Sequence, residues 1–258
     1  MDLREAMRTS GAVRRFTDTP VPDEVLARVL DDARFAPSGG NQQPWTVLVL
    51  RDPQLRRKVR DLAVLGWREY TAQVRAGVRP FAPGLDGRWH GAAVDLDEAA
   101  ATPAPSPFID GLDQVPVLLV LVARLTALAV TDIELERTSI VGGASIYPFA
   151  QNLLLAARAQ GLGGTLTTIV VRREPAAAEL LGIPPGHAIA AVLALGYPEW
   201  RATRLKRRAV EDFARVDTFD GQPFPGPSPG SPGDGEVFRV APDGAGVPGD
   251  VRGGNSQV

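Results

Sequence analysis

Short β-branched apolar runs alternate with helix-periodic segments from about residue 22 to residue 195, and this order constrains the fold more than any other feature. Val25, Leu26, Val29, Leu30 and Ala33 recur at helical spacing after Pro22-Asp23, and the helix they predict stops before Pro37. Thr46–Leu50 reads as a buried strand, and Pro53 opens a helix carrying Leu55, Val59, Leu62 and Ala63. Residues 66–112 show no clear period; irregular segments of that length are often lids or binding loops. Beyond them come an apolar strand over Val115–Val122, a long uncharged helix ending near Gly161, and a strand over Thr165–Val171. A short helix over Glu174–Leu181 and a strand over Ile189–Leu195 follow. The order strand, helix, strand, long loop, then strand, helix, strand, helix, strand implies a central sheet packed by helices.

The uncharged stretch runs from Thr138 through Ala157, about the length of a membrane span. Ser139, Ser145, Gln151 and Asn152 interrupt it, with Gly142, Gly143 and Pro148, so a helix buried in a core or subunit interface is the expectation, not a membrane helix. The N-terminus, Met1-Asp2-Leu3-Arg4-Glu5, has no apolar signal core, and a cytoplasmic location is expected. Composition shifts near Asp220. From there to Val258, 17 of 39 residues are Gly or Pro, too little apolar material to offset chain ordering, so a folded domain over 1–220 and a disordered tail over 221–258 are expected.

Several chemistries are disfavoured. A formal net charge of −2 argues against nucleic-acid binding through bulk charge. The chain has no cysteine, hence no thiolate metal site or catalytic thiol. His90 and His187 are the only histidines, with no ligand spacing around them, so no metal is expected. The run Gly143-Ala144-Ser145-Ile146-Tyr147 lacks the second glycine of a nucleophile elbow, and no phosphate-cradling Walker sequence occurs. Gly161-Leu162-Gly163-Gly164-Thr165-Leu166 joins a helix to a strand, the reverse of a dinucleotide fingerprint, and has leucine at its sixth position.

Three separated segments carry the positive information. They are Ala12-Val13-Arg14-Arg15-Phe16; Ala36-Pro37-Ser38-Gly39-Gly40-Asn41-Gln42-Gln43-Pro44-Trp45; and Lys206-Arg207-Arg208. Each alone has an ordinary reading, as solvated arginines, turn chemistry or a basic surface. Together they resemble the nitroreductase family of flavoenzymes. The second segment is the specific one: the family reads Ala-Pro-Ser, two variable residues, Asn, one more residue, then Gln-Pro-Trp. The first resembles the family's N-terminal Arg-Ser-x-Arg-x-Phe element and the third its C-terminal basic element. The likeness covers about residues 3–215. Ala12 stands where the family often has serine, and Ser10 or Gly11 where it has a further arginine.

The resemblance implies an α+β fold with a mixed, mostly antiparallel sheet flanked by helices. It also implies an intertwined homodimer with shared active sites, and a C-terminal arm over about 197–220 embracing the partner. It implies FMN as cofactor and NADH or NADPH as electron donor, with the flavin and not a side chain performing the chemistry in ping-pong order. Arg14, Lys206 and Arg208 match the phosphate clamp, Arg15 and Arg207 less closely; a dianionic phosphate calls for such converging donors. Pro37, Ser38, Gly39, Gly40 and Asn41 match the loop at the ring edge, where glycine lets main chain approach closely. Leu166, Thr167 and Thr168 fall near the flavin's reactive nitrogen by register; a buried apolar strand is the competing account of those three. The acceptor would be a nitroaromatic, a quinone or a similar electron-poor molecule. A flavin-dependent dehydrogenase or oxidase of one specific metabolite would share every cofactor residue, and a non-catalytic flavin-binding protein is the third reading.

Overall fold

β2 (Val117–Arg124) is buried from Val117 to Ala123, because helices cover both faces of the sheet it centres. The computed structural model of the chain describes residues 2–202 and 205–227. The sheet also contains β1 (Trp45–Leu50), β3 (Gly163–Thr167) and β4 (His187–Gly196), in the order β1-β2-β4-β3 with every neighbouring pair antiparallel. Side chains alternate between two cores: Leu119, Leu121 and Leu193 face one way, Leu118, Val120 and Val192 the other. A sheet covered on both faces requires near-continuous apolar strands, the composition seen here.

On the first face lie α2 (Asp23–Ala33) and α6 (Tyr147–Ala159), packed on each other and contributing Leu26, Val29, Phe149 and Leu153 to its core. On the second lies α3 (Pro53–Arg75), capped by the Asp52 carboxylate, which accepts from the Gln54 amide at 2.7 Å. The short helices α4 (Leu96–Ala101) and α5 (Pro107–Asp110) pack on α3. α7 (Glu174–Leu181) has Pro175 in its first turn and ends where Gly182 turns left-handed at φ +65°.

The chain divides into two compact units, Ala12–Trp200 and a smaller one made of residues 1–11 with residues 201 onward. Sheet and two-sided core belong to the first. The second contains α1 (Leu3–Thr9), and in it Leu205 packs beside Gly11. It also contains a short hairpin in which the Val216 amide donates to Gln222 at 2.9 Å and the Phe224 amide donates to Ala214 at 3.0 Å. That hairpin straddles residue 220, where the composition shifts. The tail expectation for 228–258 lies outside the described residues.

Three expectations are corrected. The uncharged stretch is not one helix: α6 begins only at Tyr147, after a 3-10 turn over Val141–Ser145. Pro148 fits only the first helical turn, and Gly142-Gly143 favours irregular backbone ahead of it. Residues 66–112 are not uniformly irregular, since α3 continues to Arg75 and α4 and α5 follow. The strand expected to reach Val171 ends at Thr167 and passes into a 3-10 turn over Ile169–Arg173. Among the described residues no helix is long and apolar enough to cross a membrane.

Candidate functional site

Gly163 and Gly196 are paired across β3 and β4, and both lack a side chain for a spatial reason. A Cβ on Gly163 would stand 2.6 Å from Val13 Cγ2, and one on Gly196 would stand 2.9 Å from Phe16 Cδ1. Residues 13–17 lie in the space those glycines leave. The Val13 amide donates to the Gly164 carbonyl at 2.9 Å, the Thr17 amide donates to Tyr197 at 2.8 Å, and Phe16 bridges Pro198. With Val13 turned onto the sheet, Arg14 and Arg15 are left exposed, and neither has an ion-pair partner among the described residues. The glycine run set aside as a dinucleotide fingerprint is thus a packing surface for the Arg14 segment.

The loop of the second segment is held by two serines. Ser38 closes it: its hydroxyl accepts from the Gln43 amide at 2.9 Å and its carbonyl accepts from the Asn41 amide at 2.9 Å. Ser145 anchors it, its Oγ accepting from the Gly39 amide at 3.0 Å. Gly39–Asn41 form one 3-10 turn with Gly40 at φ +56°, and Asn41 and Gln43 also have positive φ, at +53° and +45°. Left-handed conformations in non-glycine residues cost about 1–2 kcal/mol each and persist only where surroundings over-determine them. Those surroundings include Trp45, the first residue of β1, stacked on Phe149 of α6 with centroids 4.7 Å apart. Pro37, Gly39, Gly40 and Asn41 remain exposed, presenting a polar backbone edge.

The loop before the Ser145 turn is organised by Asp132, a carboxylate with 3% exposure. It accepts from the Ile140 amide at 2.9 Å, from Arg137 Nη1 at 2.8 Å and from Ser139 Oγ at 2.8 Å. The Ile140 amide first, then the Arg137 and Ser139 side chains, hold its carboxyl well below the usual carboxylate range despite its burial.

At the other end of β3 from the Arg14 segment, Leu166 and Thr167 are half-buried and Thr168 is exposed. Thr167 Oγ1 accepts from the Ile169 amide at 3.3 Å, turning the chain out of the strand. Lys206, Arg207 and Arg208 belong to the smaller unit and are all exposed. Arg207 Nη1 donates to the Lys206 carbonyl at 2.8 Å, and the Arg208 guanidinium lies 5.9 Å from the centroid of the Phe213 ring.

Of the residues singled out in the sequence, Arg14 and Arg15 are brought to β3, and Ser38–Asn41 are gathered into one anchored turn. Ser145 was missed as a site residue, because its partner lies 106 positions away and nothing local marks it. Glu69 was missed too. It shares the buried face of α3 with Val59, Ala63, Gly66 and Gln73, but the glycine and polar residues of that face give no apolar period to mark it.

Known proteins resemble this chain in sequence and in fold. The chain is 28% identical over 214 residues to iodotyrosine deiodinase 1 of Rattus norvegicus, spanning 82% of this chain and 68% of that protein. It is 29% identical over 198 residues to an NADH dehydrogenase of Thermus thermophilus, spanning 77% of this chain and 87% of that one. Its fold resembles that of the NADPH:FMN oxidoreductase of Vibrio harveyi, with TM-score 0.56 at 18% identity over 84% of this chain and 75% of that chain. Nitroreductase A of Vibrio parahaemolyticus gives TM-score 0.58, also at 18% identity, over 84% and 75% of the two chains. A sequence model of the nitroreductase family matches residues 7–197. The chain belongs to the nitroreductase family.

Proposed function

We propose that this chain is an FMN-dependent oxidoreductase that carries electrons from NADH or NADPH to an electron-poor acceptor, a nitroaromatic, a quinone or a similar molecule. The observation that carries the reading is the Gly163–Val13 contact, which binds the Arg14 segment to the same strand that ends in Leu166 and Thr167, with Thr168 directly after it. One strand thereby links a cationic end, suited to a phosphate, with an end where main chain and small hydroxyls are accessible.

The residues present fit FMN by their chemistry. Arg14 is an exposed cation without an acidic partner among the described residues, and Lys206 and Arg208 are exposed cations of the same kind, suited to a dianionic phosphate. Arg15 and Arg207 adjoin them. Pro37, Ser38, Gly39, Gly40 and Asn41 would hold the polar edge of the ring, and Leu166, Thr167 and Thr168 would lie beside its reactive nitrogen through main-chain atoms. The chemistry FMN supplies when bound is two-electron storage, hydride uptake from the nicotinamide followed by release to the acceptor. The side chains bind and orient; none is assigned a proton transfer, and donor and acceptor use one open face in turn. A homodimer with shared sites and a cytoplasmic location belong to the same proposal.

A second reading, a flavin enzyme dedicated to one metabolite, is favoured by the relatives named iodotyrosine deiodinase. The experiment common to both is release of the cofactor from purified protein by denaturation. One FMN per subunit is expected; FAD, or colourless protein unable to take up FMN, overturns the assignment.

A further inference from the structure

One face of α3 runs from apolar packing into a buried polar clamp on the turn that follows β3. At Gly66 the helix touches that turn directly, since a Cβ there would stand 2.5 Å from the Ile169 carbonyl oxygen. One turn on, Glu69 has 1% exposure, accepts from Arg172 Nε at 2.8 Å and also pairs with Arg173. One turn further, Gln73 Oε1 accepts from the Phe81 amide at 3.1 Å, and the Arg172 guanidinium lies 4.4 Å from the centroid of the Phe81 ring. Residues 84–90 are fastened at a second place: Arg88 pairs with Glu136, and the Thr138 amide donates to the Gly87 carbonyl at 2.8 Å.

A buried carboxylate between two guanidiniums is costly to desolvate, and well-packed apolar residues stabilise a fold as well or better. The geometry of this triad is directional, since both guanidiniums must face the one carboxylate for its hydrogen bonds to form. Here those groups are the 3-10 turn directly after Thr168 and, through Arg172 and the Phe81 ring, whose centroid lies 6.1 Å from that of Trp89, the segment from Phe81 to His90.

We propose that Glu69 is a positioning residue for the redox site: through Arg172 and Arg173 it fixes the turn after Thr168, and through Arg172 and Phe81 it ties residues 79–90 to that turn. This rests on the flavin reading, because only then do Thr167 and Thr168 border the reacting atoms.

The test is amide hydrogen exchange on the full chain, with and without FMN, together with nicotinamide kinetics. Glu69→Gln is expected to raise exchange about tenfold at Ile169–Arg173 and across 79–90, with α2 and β2 unaffected. Its kcat falls while its FMN affinity is little changed. Arg172→Lys, which keeps a charge for Glu69 and loses the planar guanidinium, is expected to loosen 79–90 and leave Ile169–Arg173 protected. Unchanged exchange in Glu69→Gln, uniform loosening of the whole sheet, or unchanged exchange over 79–90 in Arg172→Lys overturns the proposal. Local loosening in a chain that takes up no FMN overturns the redox-site role and marks the flavin reading, not the clamp, as the failure.

Discussion

Val13 occupies the volume that a side chain on Gly163 would need, with Val13 Cγ2 only 2.6 Å from the position of a Cβ. With Val13 turned onto the sheet, the adjoining Arg14 is left exposed.

Gly163→Ala is expected to push residues 12–16 off β3. Overpacking of this kind costs about 1–3 kcal/mol. FMN affinity falls with it, since Arg14 moves with the segment. Val13→Ala combined with Gly163→Ala recovers part of both losses, because the two sites share one volume. Urea denaturation and FMN titration of the two single variants and the double variant check this; strictly additive losses would contradict it.

Ser145→Ala removes the acceptor of the Gly39 amide. A hydrogen bond of this type contributes about 0.5–1.5 kcal/mol, and the loss falls on the turn that holds Asn41 at positive φ. The expected outcome is a several-fold weaker FMN complex with global stability nearly unchanged. Calorimetric titration of the variant with FMN, beside its thermal midpoint, provides the check.

How much of this was legible in the sequence differs from residue to residue. α2 and α7 could be read because proline starts and apolar spacing agree with their final environment, and the Ser38–Asn41 turn because its glycines and asparagine supply the backbone conformations it uses. The second half of α3 was not legible. Its buried face there is Gly66, Glu69 and Gln73, residues whose burial depends on the distant Ile169, Arg172, Arg173 and Phe81. The start of α6 was misplaced because absence of charge signals burial and not helicity. β3 was read too long, because Ile169-Val170-Val171 has strand composition while Val170 packs into the core from a 3-10 turn. Ser145 acts entirely through a tertiary contact.

Asp132 makes stability depend on pH. Its carboxyl is held below the usual range in the folded chain, so its contribution is fully present above the unfolded value of about 3.9 and is lost as pH falls from there toward the folded value. The stability difference between wild type and Asp132→Asn is therefore expected to be constant from neutral pH down to mildly acidic pH and to shrink below about pH 4. Denaturant midpoints of both proteins across that range check it. A difference that grows on acidification would contradict the sign.

Removal of residues 228–258 is expected to leave flavin content and oligomeric state unchanged. Removal from residue 221 onward also takes Gln222–Phe224, the outer half of the hairpin with Ala214–Val216; dimer and flavin are expected to survive, with a small loss of stability. Sedimentation and absorbance of the two truncated proteins decide this. Monomers or colourless protein from the shorter deletion would make the tail part of the folded domain.

Arg208→Ala is expected to weaken FMN binding about ten- to a hundredfold, the loss of one charge-assisted contact worth about 1.5–3 kcal/mol, with the fold intact. An unchanged dissociation constant would return Arg208 to the solvated surface.

Electron flow through bound flavin is the central step proposed for this protein, and rapid mixing of the FMN-loaded protein with NADH and with NADPH, without oxygen, measures it. Loss of the oxidised-flavin absorbance with at least one nicotinamide, and its return on adding a nitroaromatic or quinone, is the predicted result. Flavin that stays oxidised with both nicotinamides would contradict the account.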